Sequence, residues 1–279
     1  MKTEQRFRST DWAVILGASS GFGGAAAIEL ARHGMNICGV HLDRQATMPN
    51  VQQIIKEIKH TGREAVFYNI NAADAIKRSE TLDDLQERFD ASENTVRVLL
   101  HSLAFGTLKA FIPKKEEEGL TQAQMEMTID VMANSLVYWT QGLITRHLMK
   151  RGGRIFAMTS SGGHTVLPYY GAVSAAKATL ESHIRQLAME LALHGITANA
   201  IMAGVTDTPA LRKIPGAVEM LRVAKLKNPS GRLTTPEDVA KAIVLLADEQ
   251  AYWVSGNVIG VDGAEDVVSF VGQKGHGEH

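Results

Sequence analysis

The chain of 279 residues has almost no cysteine: Cys38 stands alone. One thiol excludes an intrachain disulfide and fits a reducing compartment. It lies in the apolar run NICGV, the setting of a buried core cysteine. Long hydrophobic runs are also lacking. None approaches the ~20 residues that a membrane span needs. The opening MKTEQRFRSTDW lacks the apolar segment of a signal peptide, so a soluble, cytoplasmic protein is expected. Neither sign of charge dominates. The net charge of -1 gives no global pointer to nucleic acid or an anionic membrane as partner. There is no internal repeat and no low-complexity linker. The tail GQKGHGEH (272–279) carries two histidines, but its glycine and charge suit a loose end over a metal site, and no metal is expected.

What is present is ordinary globular material, 45% hydrophobic and 21% charged, long enough to bury a core without staples. Short apolar runs alternate with longer amphipathic ones. Strands are predicted at 12–17, 36–41, 64–69, 96–102, 153–160, 196–203 and 256–263. Helices are predicted at 21–34, 51–62, 74–91, about 121–149, roughly 170–193 and 235–248. Strand–helix alternation implies a parallel sheet covered on both faces. Right-handed crossovers then make the expected fold α/β: one Rossmann-type doubly wound sheet of about seven strands over 1–279, with a flexible tail from 269.

GASSGFG (17–23) joins the first strand to the first helix. Gly17, Gly21 and Gly23 meet the needs of a dinucleotide cradle. These are a tight turn, bare backbone against a pyrophosphate, and a helix N-terminus aimed at it. Ser19 and Ser20 add hydroxyl donors. The strand before and the helix after supply the context that such a loop requires. At the end of the second strand, where NAD enzymes often hold an acid for the adenosine ribose, stands His41, followed by Asp43 and Arg44. A non-acidic residue with a nearby arginine leans toward NADP(H). Asp43 leaves NAD(H) open, and Arg44 also suits a solvated loop.

GASSGFG, Asn134, Ser160, a Tyr/Lys pair and AGVTDT (203–208) in this order resemble the short-chain dehydrogenase/reductase family over about residues 11–268. HSLAFG (101–106) is similar to the HSIAF signature of enoyl-acyl-carrier-protein reductases. So is the spacing of seven between Tyr170 and Lys177. Ser160 and Asn134 resemble the ketoreductase-type members, so the mosaic resembles the divergent, NADPH-using branch of bacterial enoyl reductases. The resemblance implies catalytic roles for Tyr170, Lys177, Ser160 and Asn134. Lys177 would hold the nicotinamide ribose and lower the tyrosine pKa. Ser160 would bond the substrate carbonyl or Tyr170, or simply cap a turn. Asn134 would neighbour a water that links the lysine to solvent, or satisfy a helix backbone group. Cofactor contacts are implied for Phe22, His41, Arg44, Asn69, Ile70, Ser102, Leu103, Ala104, Lys177, Gly204, Val205 and Thr208. Of these, Val205 would offer its backbone to the carboxamide, whereas Ile70 and Ala104 also suit plain core. His101 is expected to be structural.

Val173 stands where the family's tyrosine is usual, four residues before the lysine. In carbonyl reduction, hydride acceptor and protonated oxygen are adjacent. In conjugate reduction of an enoyl thioester, the enolate oxygen forms three bonds from the β-carbon, so the acid must retreat. Seven residues are about two helical turns, roughly 10 Å along one face. Tyr170 would face the same cleft from further away while Val173 lines it. The adjacent Tyr169 would point elsewhere.

Residues 205–232 occupy the place of the family's substrate lid. They mix apolar side chains with Arg212, Lys213, Arg222, Lys225, Lys227 and Arg232. Such a patch suits an acyl chain on an acidic carrier protein or on coenzyme A, or else is a solvated amphipathic helix. The expected activity is NAD(P)H-dependent enoyl-thioester reduction in fatty-acid synthesis, by a homotetramer. A short-chain carbonyl reductase or alcohol dehydrogenase with a displaced tyrosine is the alternative, and a nucleotide-sensing binding protein a third.

Overall fold

Every residue of Asp11–Leu16 is buried, a pattern that a strand reaches only when both its faces are covered. This strand, β1, is an interior strand of the computed structural model, which describes residues 5–90 and 92–269. In chain order the elements are β1, α1 (Gly21–Arg32), β2 (Asn36–His41), α2 (Met48–His60), β3 (Ala65–Asn69), α3 (Ala75–Phe89) and β4 (Thr95–His101). There follow α4 (Gln122–Ile129), α5 (Ser135–Thr145), β5 (Arg154–Thr159), α6 (Gly171–Glu190), β6 (Thr197–Ala203), α7 (Ala217–Lys227), α8 (Pro236–Ala247) and β7 (Val258–Val261). The seven strands form one parallel sheet ordered β3-β2-β1-β4-β5-β6-β7. Strand order therefore reverses between β1 and β4, and ligands of open α/β sheets bind at the carboxyl ends beside such a switch point.

Alternate residues of β1 serve opposite layers. Trp12, Val14 and Leu16 pack with Leu82, Leu85 and Phe89 of α3, Trp139 of α5 and Leu180 of α6. Ala13 and Ile15 pack with Leu30 of α1 and Ile243 of α8. Cys38 is buried in the first layer, and burial pushes its thiol pKa up, so it is an inert core residue. No helix among the described residues is long and apolar enough to cross a membrane.

Most predicted boundaries agree within a few residues, and the exceptions have physical causes. The single helix expected over 121–149 is interrupted by a π-turn at Asp130–Asn134 and stops at Thr145. Thr128 and Ser135 donate their hydroxyls back to the carbonyls of Gln124 and Val131, a bond pattern that bends helices. Leu148 and Met149 continue the apolar spacing, but the chain reverses at His147 (φ 55°) and both fold back into the core. The helix expected to 193 ends at Glu190, and Gly195 (φ 67°) closes the following turn. The last strand is four residues long, half the expected span. The tail expected to be loose lies outside the described residues from 270 onward.

Candidate active site

The cradle follows directly from β1. A Cβ on Gly17 would collide with the Ser102 carbonyl, and one on Gly23 with the Gly17 carbonyl. Gly21 has φ 53°, which suits glycine. These three glycines close the turn so tightly that α1 points its N-terminus out of the carboxyl edge of the sheet. Ser20 is the N-cap residue and its side chain makes no capping bond. Ser102 and Leu103 back the loop from the end of β4. The residues present therefore fit a dinucleotide pyrophosphate.

At the end of β2, His41 is buried and its Nδ1 lies 3.0 Å from the Asp43 carboxylate. Asn69 straps this corner. Its Oδ1 accepts from the Asp43 N–H at 2.9 Å, and its Nδ2 donates to the Asp43 carbonyl at 2.9 Å. Burial alone would raise the Asp43 pKa, but hydrogen bonds from Thr47, Ser19 and His41 outweigh it and hold the carboxyl below its usual range. The corner thus presents a carboxylate beside Ser19 of the cradle, with Arg44 exposed next to it. Ile70 packs against the core and Ala104 is exposed.

Across the switch point, Tyr170 occupies the N-cap position of α6, one residue before the helix proper. Tyr169 has φ 63°, a left-handed value that a tyrosine seldom adopts, and is half exposed. This kink turns Tyr169 outward and Tyr170 inward, where it is 8% exposed. Tyr170, Met132, Val173 and Ala176 form a separate apolar cluster, and Leu108, Leu167 and Ile214 pack against it. The long loop after β4 supplies Leu108, and the segment after β6 supplies Ile214. That loop carries no regular pattern that the sequence betrays. Its Phe111 ring lies over Gly171, where any Cβ would strike it.

Ser160 caps the turn after β5: its Oγ accepts from the Gly162 N–H at 3.0 Å. The same glycine brings it beside the Tyr170 ring, since a Cβ there would meet both Tyr170 Cε1 and Ser160 Oγ. Lys177 is buried, 6% exposed, and its Nζ donates to the Met158 carbonyl at 2.7 Å. Burial drops its pKa to about 8, opposed by Glu181. The expectation that Lys177 lowers the tyrosine pKa is not met. Burial raises the Tyr170 pKa, partly offset by Ser160. Tyr170 therefore remains a protonated phenol at neutral pH.

Asn134 closes the π-turn, and its Oδ1 lies 3.1 Å from His183 Nε2 of α6. His101 is fully buried with Nε2 2.9 Å from the Ser135 hydroxyl. Its pKa falls to about 3, through burial first and then Lys177, so it stays neutral. Two imidazoles from β4 and α6 thus hold consecutive residues where the π-turn passes into α5. His183 went unnoticed in the sequence, although it shares a helix with Lys177.

On the far side, Thr208 accepts the Leu211 N–H on its Oγ1 and sets its methyl against Gly21. Gly204 admits no Cβ, because Thr234, Asp262 and Glu265 close round it. The Val205 N–H, anticipated as a free backbone donor, is already bonded to the buried Glu265 carboxylate at 3.2 Å. Glu265 was another residue that the sequence did not signal. The basic patch of 205–232 is also weaker than its composition suggests. Arg212 pairs with Asp207, Arg222 with Glu219 and Arg232 with Asp238.

Residues 17–264 match the family described as Enoyl-(Acyl carrier protein) reductase. Among curated relatives, the NADH-dependent enoyl-[acyl-carrier-protein] reductase FabI of Aquifex aeolicus is 29% identical over 204 residues, 71% of this chain and 73% of that one. The 3-oxoacyl-[acyl-carrier-protein] reductase FabG of Thermotoga maritima is 25% identical over 90% of this chain and 95% of its own. Among solved structures, an enoyl-(acyl-carrier-protein) reductase of Anaplasma phagocytophilum in complex with NAD superposes with a TM-score of 0.81 at 21% identity, over 98% of this chain and 97% of that one.

Proposed function

Since the chain belongs to the short-chain dehydrogenase/reductase family and is an oxidoreductase that takes NAD(P)(H), we propose that it reduces the carbon–carbon double bond of a trans-2-enoyl thioester. The observation that carries this reading is the placement of Tyr170. The tyrosine turned into the site is the one seven residues before Lys177, and the position four before is Val173, buried in the same apolar cluster. An acid set back behind an apolar floor suits an enolate oxygen remote from the carbon that is reduced.

When bound, the cofactor would supply a hydride for the β-carbon. Gly17, Ser19, Ser20, Gly21, Phe22 and Gly23 would hold its pyrophosphate, and Asp43, His41 and Arg44 would face the adenosine ribose. Lys177 spends one of three N–H donors on Met158 and keeps two for the nicotinamide ribose. Tyr170, kept a phenol by burial, donates to the developing enolate oxygen, and Ser160 orients it. Asn134, held by His183, stands behind the lysine as a route for proton resupply. Ile214, Leu108 and Leu167 exclude water from the reacting end, with 205–232 serving as the lid.

A carbonyl reductase is the second reading. The juxtaposition of Ser160 and Tyr170 at Gly162 and the π-turn carrying Asn134 favour it, as does similarity to the 3-oxoacyl reductase of Thermotoga maritima. The test is cofactor oxidation with crotonyl and longer enoyl thioesters, in parallel with 3-ketoacyl thioesters, using NADH and NADPH. Turnover on the keto substrates alone sinks the first reading, and tight cofactor binding without turnover on either favours a sensor. A place in fatty-acid synthesis follows from the substrate, which is a thioester of acyl carrier protein or coenzyme A. A homotetramer is part of the same proposal, and sedimentation velocity tests it.

A further inference from the structure

Lys177 poses an electrostatic problem. It is buried, and no acid among the described residues lies within ion-pair distance of it. Its one hydrogen bond goes to a neutral carbonyl, Met158 O. A buried ammonium without compensation tends to lose its proton.

We propose that Glu181 is the counter-charge that keeps Lys177 an ammonium ion, which makes it a positioning residue of the site. The proposal rests on the reading of Lys177 as the residue that holds the nicotinamide ribose. Glu181 lies four residues on, one turn along the same face of α6. Its Oε1 accepts from Thr159 Oγ1 at 2.6 Å. Thr159 directly follows Met158, so consecutive residues at the end of β5 anchor the two charged side chains. The turn that carries Ser160 then covers both. A Cβ on Gly163 would sit 3.2 Å from Glu181 Oε1 and 3.5 Å from Lys177 Cβ, so only a small residue leaves the pair its space.

The other titratable groups around Lys177 cannot do this work. His101 faces it from β4 and is held neutral, and Tyr170, on the same helix face, is held as a phenol. Glu181 is the one group that supports the lysine's charge against burial. A cation there offers charged donors to the ribose hydroxyls, and a neutral amine binds them more weakly.

The test is the dissociation constant of NADH and NADPH from the full-length protein, by nucleotide fluorescence, across about pH 6 to 10. In the unmodified protein, affinity should fall as pH rises through about 8. Glu181→Gln and Glu181→Ala should both move that fall lower by about one pH unit. Thr159→Val removes the hydrogen bond but not the charge and should leave the inflection near its original place. An unmoved inflection in the two Glu181 variants overturns the proposal. So does a Thr159→Val curve that matches theirs, since orientation would then be the cause. Lys177→Met should abolish the inflection. If it persists there, the reading of Lys177 fails on its own account, whatever Glu181 does.

Discussion

At the scale of the residue, two adjacent tyrosines divide the work through one backbone angle. The left-handed φ of Tyr169 faces it to solvent and buries Tyr170 against Ser160. Tyr170→Phe is therefore expected to lower kcat at least a hundredfold with cofactor affinity nearly intact, and Tyr169→Phe to leave turnover within a few-fold; steady-state kinetics and a binding titration check both. Lys177 gives a stability prediction. Its folded pKa of about 8 lies below the 10.5 of the free side chain. The folded state thus binds the proton less tightly, so the cost of burying the charge is full below about pH 8 and fades as pH rises toward 10.5. Lys177→Met should stabilise the protein by about 1–2 kcal/mol at neutral pH, less the lost Met158 bond, with the gain shrinking toward pH 10; urea denaturation at the two pH values checks it. Asp43 and Arg44 pull on cofactor choice in opposite senses. Asp43→Ala should raise the NADPH-to-NADH affinity ratio about tenfold, and Arg44→Ala should lower it. The spacing of Tyr170 and Lys177 was legible because it lies within one helix. Glu181 and His183 lie on that helix too, yet their partners Thr159 and Asn134 come from elsewhere in the chain, and no local pattern pairs them.

At the scale of the element, the site depends on two irregular pieces, the π-turn and the turn after β5. The latter passes Gly162 so close to the Tyr170 ring that a Cβ would lie 2.5 Å from its Cε1. Gly162→Ala should displace the phenol, cutting turnover at least tenfold while the cofactor dissociation constant changes less than twofold; the same two assays decide it. The π-turn and the loop after β4 were hidden because neither is a long regular element. Helix and strand periodicity announces long regular elements, and β1 or α6 could be read from it to within a few residues. A π-turn keeps nearly helical spacing, so 121–149 looked continuous. The loop of about twenty residues after β4 has no period at all, although Leu108 and Phe111 wall the pocket. The start of α8, by contrast, falls where the spacing put it, and Thr235 and Asp238 close it reciprocally.

At the scale of the whole molecule, alternation of strands and helices was enough to foresee a doubly wound parallel sheet, since handedness and burial leave few other arrangements. Charge was less legible, because composition counts residues and not pairs. With three lid arginines neutralised, Lys213 and Lys225 remain as exposed cations without an ion pair among the described residues. If an acidic carrier protein delivers the substrate, Lys213→Glu with Lys225→Glu should raise KM for the carrier-bound thioester several-fold and leave a short coenzyme A thioester little changed; kinetics at low and high salt checks this. The strand order has a consequence for how the chain is made. As it leaves the ribosome, β1, β2 and β3 pair first, but the other flank of β1 stays open until Thr95–His101 emerges. Until then a three-stranded apolar ribbon exposes its most hydrophobic edge to the cell, and synthesis passes through an interval of aggregation risk that ends only when β4 docks.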